Sequence, residues 1–264
     1  MKDIVKDLEC EQDALDAMVS GLSQEDWDRV TPFYGWTVRD EVTHLAFFDL
    51  AGRLAATDKD AFDAQTRELF EGIADEDGLH GKVLAKGRGK TKEQILGWWR
   101  EERAAMNRAL AALGPKDRLP WYGPTMSARS FATARLMETW AHGQDVADAL
   151  QIARPATGRL IHVAHIGFIT FGWSFANRGL EVPAEAIRLD LTGPSGEAWV
   201  FGPEQSGNVV EGTALDFCLV ATQRRNLADT KLLVRGDVAE RWMRIAQTFA
   251  GPPADGPAPG RRGA

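Results

Sequence analysis

The spacing of apolar residues predicts four long helices in the first 150 residues of the chain. Apolar side chains recur every three or four positions with polar residues between them, which is the period of an amphipathic helix. Two of the segments also begin with residues typical of a helix N-terminus. The expected helices cover residues 2–22, 37–56, 91–113 and 127–150. Four long helices in this order predict a four-helix bundle.

The connection between the second and third helices is longer and less regular. Residues 62–73 contain a short amphipathic piece, and residues 82–92 form a basic segment with several glycines. We interpret the basic segment as a solvent-exposed connection, and a lid or an anion-attracting loop is the alternative. His80, just before it, is expected to be solvated.

The second half of the chain has a mixed pattern. A fifth helix is expected over residues 157–178, followed by short strands near residues 186–191, 198–201, 209–211 and 232–235 and by helices over 213–225 and 238–250. These elements predict a small α+β unit. The expected organisation is a helical bundle over 1–155, a connecting helix over 156–182, the α+β domain over 183–250 and a disordered tail rich in proline and glycine over 251–264. The predicted fold class is α+β.

Composition and charge limit the classes of function. The net charge of −7 argues against a nucleic-acid partner, which needs a basic surface. The first residues are charged, and no stretch approaches 18 consecutive apolar residues, so we expect a cytoplasmic protein without a membrane partner. Cys10 and Cys218 are the two cysteines, which argues against a disulfide framework.

One face of the fourth predicted helix is polar where a bundle core would be apolar. Steps of three and four residues place six side chains on this face, four of them polar: Phe131, Arg135, Glu138, His142, Asp145 and Ala149. Burying such groups is costly unless they meet a metal, a ligand or each other. The pattern therefore predicts a functional site on this helix.

The residue types on this face suit a metal ion. Glu138 and His142 stand four residues apart, so both can reach one ion, and His44 on the second predicted helix is the natural third ligand. Two imidazoles and one carboxylate are a ligand set of catalytic zinc, and nickel, manganese and iron are compatible with it. Asp145 is placed to accept a hydrogen bond from a ligand, and Arg135 to orient Glu138 or to bind a substrate carboxylate.

The same residues also have purely structural interpretations. Glu138 and His142 have the spacing of an ordinary helix pair, and His44 among aromatic residues fits a buried core histidine. Arg135 and Asp145 could pair with each other as buried charges. Spacing alone leaves these alternatives open.

Two short motifs contain the predicted ligands. The first is Gly-Trp-Thr-Val-Arg-Asp at residues 35–40, followed by His44 and Leu45, and the second is Arg-x-x-Glu-x-x-x-His-Gly-x-Asp at residues 135–145. Together they resemble the metal-binding signature of the mycothiol-dependent maleylpyruvate isomerase family, within the DinB-like superfamily of four-helix bundles. Members bind a divalent metal, typically zinc, through a histidine of the second helix and a Glu-x-x-x-His pair of the fourth. The resemblance implies His44, Glu138 and His142 as metal ligands.

The resemblance extends into the second half of the chain. This half is similar to the small sterol-carrier-like domain of such proteins. Residues 174–180, 214–218 and 250–253 resemble a subgroup sometimes labelled for wyosine-base formation. The similarity covers almost the whole chain up to about residue 253.

The resemblance also implies an activity. Family members bring a low-molecular-weight thiol, mycothiol, to the metal, and the thiolate attacks a small electrophilic substrate, as an isomerase or as an S-transferase. An arginine of the C-terminal domain takes part in the isomerase, and Arg224, Arg225 and Arg235 are the candidates here. The alternative is a structural cation that interacts with the dipole at the end of a helix.

The sequence thus predicts a divalent-metal-dependent, thiol-using enzyme with a small-molecule substrate. Two other functions stay open. One is a metal-dependent hydrolase, which would differ in needing no thiol. The other is a non-catalytic binding protein whose metal only stabilises the fold. The pattern leaves the oligomeric state open.

Overall fold

The first half of the chain is a helical unit. The structure, a computed structural model, describes residues 1–261 apart from the side chain of Glu76, and it divides into Met1–Ile152 and Ala153–Ala264. The first unit contains seven helices and a hairpin: α1 (Lys2–Val19), α2 (Gln24–Trp27), α3 (Val38–Thr57), α4 (Lys59–Phe70), α5 (Glu76–Ala85), α6 (Lys92–Ala111), β1 (Arg118–Trp121), β2 (Gly123–Ser127) and α7 (Ala128–Leu150).

The bundle is formed by α1, α3, α6 and α7. Helix α3 packs along α6 and α7, and α1 packs along the same two helices. Their buried faces, together with Trp27 of α2, form an apolar cluster that also contains Leu15, Val19, Val38, Val42, Leu45, Ala46, Ile95, Leu96, Trp99 and Val146. Because α3 and α7 are neighbours, polar side chains on their facing surfaces can converge inside the bundle.

Capping interactions determine where the helices begin. The Thr37 hydroxyl accepts from the backbone N–H of Asp40, whose carboxylate accepts from the N–H of Thr37, so α3 starts with a capping box. Thr91 and Gln94 form the same box at the start of α6. These side chains satisfy N–H groups that the first turn leaves without partners. The boundaries predicted for these helices agree with the structure to within one or two residues.

The second unit packs helices on a four-stranded sheet. Its elements are α8 (Leu160–Ile169), α9 (Phe171–Ala176), β3 (Ile187–Thr192), β4 (Ala198–Phe201), β5 (Asn208–Thr213), α10 (Ala214–Ala221), a 3-10 turn (Leu227–Asp229), β6 (Leu233–Arg235) and α11 (Asp237–Ile245). The strand order is β4-β3-β5-β6, and β3 pairs parallel to β5. Alternate residues of β3 are buried, and Phe217 and Trp242 are fully buried. The predicted α+β fold class is confirmed.

Three local predictions differ from the structure. The helix expected over 157–178 breaks at Thr170, whose hydroxyl donates to the carbonyls of Ile166 and Gly167. The first residues of the basic segment belong to α5. Lys82 there donates to the carbonyls of Glu68 and Glu71 at the end of α4. The β1–β2 hairpin was not anticipated, since Pro120 and Pro124 interrupt any strand pattern. The two units divide after Ile152, and α8 and α9 belong to the second unit.

The C-terminal tail is held by side chains of the second unit. Gln247 accepts from the backbone N–H of Ala254 at 3.1 Å and donates to the Pro252 carbonyl at 3.1 Å. Gln223 and Asn226 donate to the carbonyls of Ala254 and Pro257. The sequence predicted disorder because the tail lacks an apolar period, but polar partners provide these contacts for residues 251–261. Residues 262–264 lie outside the described part of the chain.

The helices are too short or too polar to span a bilayer within the described residues. A membrane-crossing helix needs about 20 predominantly apolar residues.

Candidate metal centre

Three donor side chains from α3 and α7 converge inside the first unit. Nε2 of His142 lies 3.2 Å from Oε2 of Glu138, and Nε2 of His44 lies 3.6 Å from the same oxygen. The three residues offer ligand atoms that all lie within 4.8 Å of one another. Both histidines are buried, and the side chain of Glu138 is 23% exposed. The structure thus brings together the three residues that the sequence predicts as ligands.

The spacing of these atoms fits a tetrahedral ion. Zinc binds nitrogen and carboxylate oxygen at roughly 2.0–2.2 Å, which separates two tetrahedral ligands by about 3.3–3.6 Å. Both ring nitrogens of His44 are buried and have no hydrogen-bond partner among the described residues. A buried polar group without a partner costs about 1–3 kcal/mol, and coordination of a metal by Nε2 would remove that cost for this nitrogen. The donor set therefore fits a divalent metal.

The other ring nitrogen of His142 contacts a carboxylate from α3. Nδ1 lies 2.6 Å from Oε2 of Glu41, which is completely buried, and Oε1 of Glu41 accepts from the Thr31 hydroxyl at 2.6 Å. The sequence assigned this acceptor role to Asp145, but its Oδ2 lies 3.8 Å from Nδ1, beyond hydrogen-bond distance. Glu41 takes that position because it lies three residues before His44, on the same face of α3. This Glu-x-x-His spacing was the signal that could have identified it.

The charges of the centre are distributed unequally between the two histidines. Burial alone would lower the pKa of His142, but hydrogen bonds to Glu138 and Glu41 outweigh it and raise the pKa to about 9. Burial, together with the charge of His142, lowers the pKa of His44 to about 3. Burial opposes ionisation of Glu138, yet its contacts with both histidines hold its pKa well below the ordinary value. Without metal, His142 therefore carries a proton at neutral pH and His44 does not.

Arg135 contacts Asp49, a partner that the sequence did not predict. Its guanidinium pairs with Asp49 of α3, whose second oxygen accepts from the indole N–H of Trp99 at 3.0 Å. The sequence had suggested that Arg135 would orient Glu138, bind a substrate carboxylate or pair with Asp145. Asp49 could not be identified from local spacing, because it is 86 residues away in the chain.

Two of the arginines predicted from the C-terminal domain belong to the second unit. Nη1 of Arg224 donates to the Thr222 carbonyl at 2.7 Å, and Nη1 of Arg225 donates to the Arg224 carbonyl at 2.7 Å. Both residues follow α10, and Arg224 is buried. Their part in catalysis stays a prediction.

Aromatic side chains surround the two histidines of the candidate centre. The Trp36 ring is parallel to the His142 ring at 6.0 Å and lies 5.2 Å from the His44 ring. Phe33 meets His142 edge-on at 5.2 Å, and Phe48 lies 4.6 Å from His44. These rings limit the access of water, and a low local dielectric strengthens the electrostatic interactions of the site.

Residues 31–36 form a short aromatic loop that carries Phe33, Tyr34 and Trp36. The backbone N–H of Thr31 donates to the Trp36 carbonyl at 2.6 Å and closes the loop. Tyr34 has a φ of +48°, a backbone conformation that residues other than glycine rarely adopt. Its side chain is 55% exposed. Such backbone strain is frequent near functional sites. The sequence pattern does not predict this loop as part of the site, because a loop has no hydrophobic period.

His80 also lies beside the aromatic loop. Its ring is 5.0 Å from Trp36 and 5.8 Å from Tyr34, and burial lowers its pKa. The sequence placed this histidine in a solvated loop, but it is a residue of α5. Continuation of α5 through this segment explains the difference.

The chain was compared with known families and proteins. The sequence model of the mycothiol maleylpyruvate isomerase N-terminal domain matches residues 8–147. Two uncharacterised proteins of Mycobacterium tuberculosis, from strains CDC 1551 / Oshkosh and ATCC 25618 / H37Rv, are each 41% identical over 252 residues. That alignment covers 96% of this chain and 97% of each relative.

Solved structures show a similar fold. The crystal structure of the mycothiol-dependent maleylpyruvate isomerase matches with a TM-score of 0.55 and 16% identity, over 84% of this chain and 89% of that chain. A histidine-to-alanine mutant of that enzyme matches with a TM-score of 0.55 and 15% identity, over 84% of this chain and 88% of the other. At this level of identity the likeness concerns the fold.

Proposed function

This chain belongs to the mycothiol maleylpyruvate isomerase family, and on that premise we propose that it is a metal-dependent, thiol-using enzyme. His44, Glu138 and His142 would hold one divalent metal, with zinc the best match to two imidazoles and one carboxylate. The observation that supports the proposal most directly is the approach of both Nε2 atoms to one carboxylate oxygen, at 3.2 and 3.6 Å. Three protein ligands leave a fourth position for a small molecule.

The charge of the centre favours an anion at that position. Two neutral imidazoles and one carboxylate leave a formal charge of about +1 on a divalent site, and a metal there stabilises the thiolate form of a thiol. Glu138 is the most exposed of the three ligands, so the side of the centre at Glu138 is the entry that we assign to the thiol. Trp36 and Phe33 cover His142 and exclude water from the reacting thiolate.

The proposed reaction is addition of the thiolate to a small electrophile. A carbon–sulfur bond forms while the electrons of an activated double bond move to a neighbouring carbonyl oxygen. In an isomerase the resulting single bond rotates, the electrons return and the thiolate leaves, so the thiol is regenerated. In an S-transferase a proton is added to carbon and the carbon–sulfur bond remains. Mycothiol is the thiol that family membership suggests.

The first test of this proposal is metal content. Elemental mass spectrometry of untagged protein should find about one equivalent of divalent metal in the wild type. His44→Ala and His142→Ala should lose it while circular dichroism shows that they stay folded. His162→Ala, in the second unit, is the matched control and should retain the metal. A wild-type protein that neither contains nor takes up metal would overturn the proposal.

The second test is dependence on a thiol. Metal-loaded protein should isomerise or consume an activated cis-alkene acid, with maleylpyruvate as the first substrate, when mycothiol is present and not when it is omitted. Turnover without thiol would replace the proposal with a metal-dependent hydrolase. A stoichiometric metal with no turnover of any electrophile in a broad panel would favour the non-catalytic binding protein.

A further inference from the structure

The geometry points to Glu41 as the positioning residue of the candidate metal centre, acting on the metal through His142. This inference rests on the proposed function, because it assigns a role within the same site. It adds a residue outside the three proposed ligands, one that the spacing of those ligands did not reveal.

The contact between Glu41 and His142 determines which nitrogen faces the other ligands. Nδ1 of His142 lies 2.6 Å from Oε2 of Glu41, while Nε2 points to Oε2 of Glu138. A hydrogen on Nδ1 donated to Glu41 leaves the lone pair on Nε2. A histidine that donates in this way to a carboxylate is oriented for coordination and becomes a more basic ligand. Glu41 therefore selects the tautomer that the centre needs.

The surroundings of Glu41 indicate a dedicated role. Its side chain is completely buried, where an ionised carboxylate is costly unless it is fully paired. The structure pairs both of its oxygens, one with His142 and the other with the Thr31 hydroxyl at 2.6 Å. Burial raises the pKa of Glu41, and the hydrogen bond from His142 opposes that shift.

Glu41 also connects the metal ligands to the aromatic loop. Thr31, its second partner, begins the loop, and the Thr31 N–H donates to the carbonyl of Trp36. The Trp36 ring in turn lies parallel to the ring of His142. His142 is thus held at its Nδ1 edge by Glu41 and covered on one face by Trp36. Glu41 and His44 lie three residues apart on α3, so one helix positions both histidine ligands.

Asp145 provides a matched comparison within the same site. It is a buried carboxylate near the same nitrogen, but its Oδ2 is 3.8 Å from Nδ1 and outside hydrogen-bond distance. If general negative charge were responsible, Asp145→Asn and Glu41→Gln would weaken metal binding equally. If the charge-assisted hydrogen bond from Nδ1 to the Glu41 carboxylate is responsible, Glu41→Gln, which keeps only a neutral acceptor, is affected far more than Asp145→Asn.

The test is a zinc titration in competition with a chromophoric chelator. We expect Glu41→Gln to bind zinc about 10- to 100-fold more weakly than wild type, and Glu41→Leu more weakly still. Asp145→Asn should stay within about threefold of wild type. Gln keeps an acceptor for the Nδ1 hydrogen, so it should rescue part of what Leu loses. Equal affinities in wild type and Glu41→Gln, or equal losses in Glu41→Gln and Asp145→Asn, would overturn the inference.

A second readout separates positioning from structural support. In zinc-loaded protein labelled with ¹⁵N-histidine, long-range NMR should show His142 protonated at Nδ1 and coordinated at Nε2, and Glu41→Leu should lose that pattern. Urea unfolding of the metal-free variants identifies any loss that comes from folding, and the isosteric Glu41→Gln carries the test if Glu41→Leu does not fold. A wild type that binds no zinc would remove the proposed function as a whole. If wild type binds zinc and Glu41→Gln binds it with the same affinity, only the role of Glu41 would be removed.

Discussion

Arg135 donates two hydrogen bonds to a single oxygen, Oδ1 of Asp49, from Nε at 3.0 Å and from Nη2 at 2.8 Å. The two side chains are 4% and 0% exposed, and the second oxygen of Asp49 accepts from Trp99. Through these contacts the pair connects α3, α6 and α7 in the core of the bundle. The positive charge of Arg135 also contributes to the lowered pKa of His44. This contact explains why Arg135 can be buried near the candidate metal centre.

Removal of one partner should be costly. Asp49→Ala leaves a buried guanidinium without a counter-charge, and we expect a loss of about 3–5 kcal/mol in the free energy of unfolding, measured with urea. The double variant Asp49→Leu/Arg135→Met, which removes both charges, should recover most of that loss. A double variant no more stable than Asp49→Ala would show that the pair does not have this role.

Close packing of α3 gives a second prediction. A Cβ at Gly52 would lie 2.7 Å from Sδ of Met106 and 2.9 Å from a ring carbon of Phe131. Gly52→Ala should therefore destabilise the protein by about 1–3 kcal/mol, less the gain of up to about 1 kcal/mol from helix propensity. Gly97→Ala in α6, where nothing lies within 4 Å, is the control and should stabilise by about 0.5–1 kcal/mol. Thermal unfolding of both variants measures the difference, and equal shifts would contradict the packing argument.

Metal binding should stabilise the folded protein. A ligand at 100 times its dissociation constant adds about 2.7 kcal/mol when it binds only the folded state. For a unit of about 150 residues, that corresponds to an increase in Tm of roughly 5–11 °C. Differential scanning calorimetry with and without zinc should show this shift for wild type. His142→Ala should show none, and an equal shift in that variant would indicate that zinc binds elsewhere.

The pKa of His142 predicts how zinc binding depends on pH. In the metal-free protein the pKa of His142 is about 9, so the ring is protonated at neutral pH. The proton on Nε2 must leave before this nitrogen can coordinate zinc. Apparent zinc affinity should therefore rise about tenfold per pH unit between pH 6 and 8 and level off above pH 9. His44 adds no such dependence in this range, because burial and the charge of His142 lower its pKa to about 3.

Calorimetry can count that proton directly. Titrations of zinc at pH 7.5 in two buffers with different ionisation enthalpies should show release of about one proton from His142 per bound ion, with any further release coming from a coordinated water. Zinc affinity that does not change between pH 6 and 8 would contradict the assigned protonation state.

The sequence was sufficient for the parts of the structure that local chemistry controls. Thr37 and Thr91 are capping residues, and the helices they begin were located closely. Glu138 and His142 were recognised because four residues make one helical turn, so their proximity needs no tertiary information.

The remaining features depend on contacts between distant segments. Glu41 shares a face of α3 with His44, which is a local signal, but its contact with His142 results from the packing of α3 against α7. The partner of Arg135 lies on another helix, and Trp36 lies in a loop without a period. Polar contacts that span 50 to 100 residues leave no local pattern in a sequence.

The parallel arrangement of Trp36 and His142 has a spectroscopic consequence. An open-shell ion such as copper(II) or cobalt(II), held by His44 and His142, would sit next to the Trp36 indole and quench its emission, because both histidine rings lie within 6.0 Å of it. The centre thus contains its own fluorophore. Trp36→Phe would remove that fluorescence change. The other eight of the nine tryptophans would serve as an internal reference when metal binding is measured.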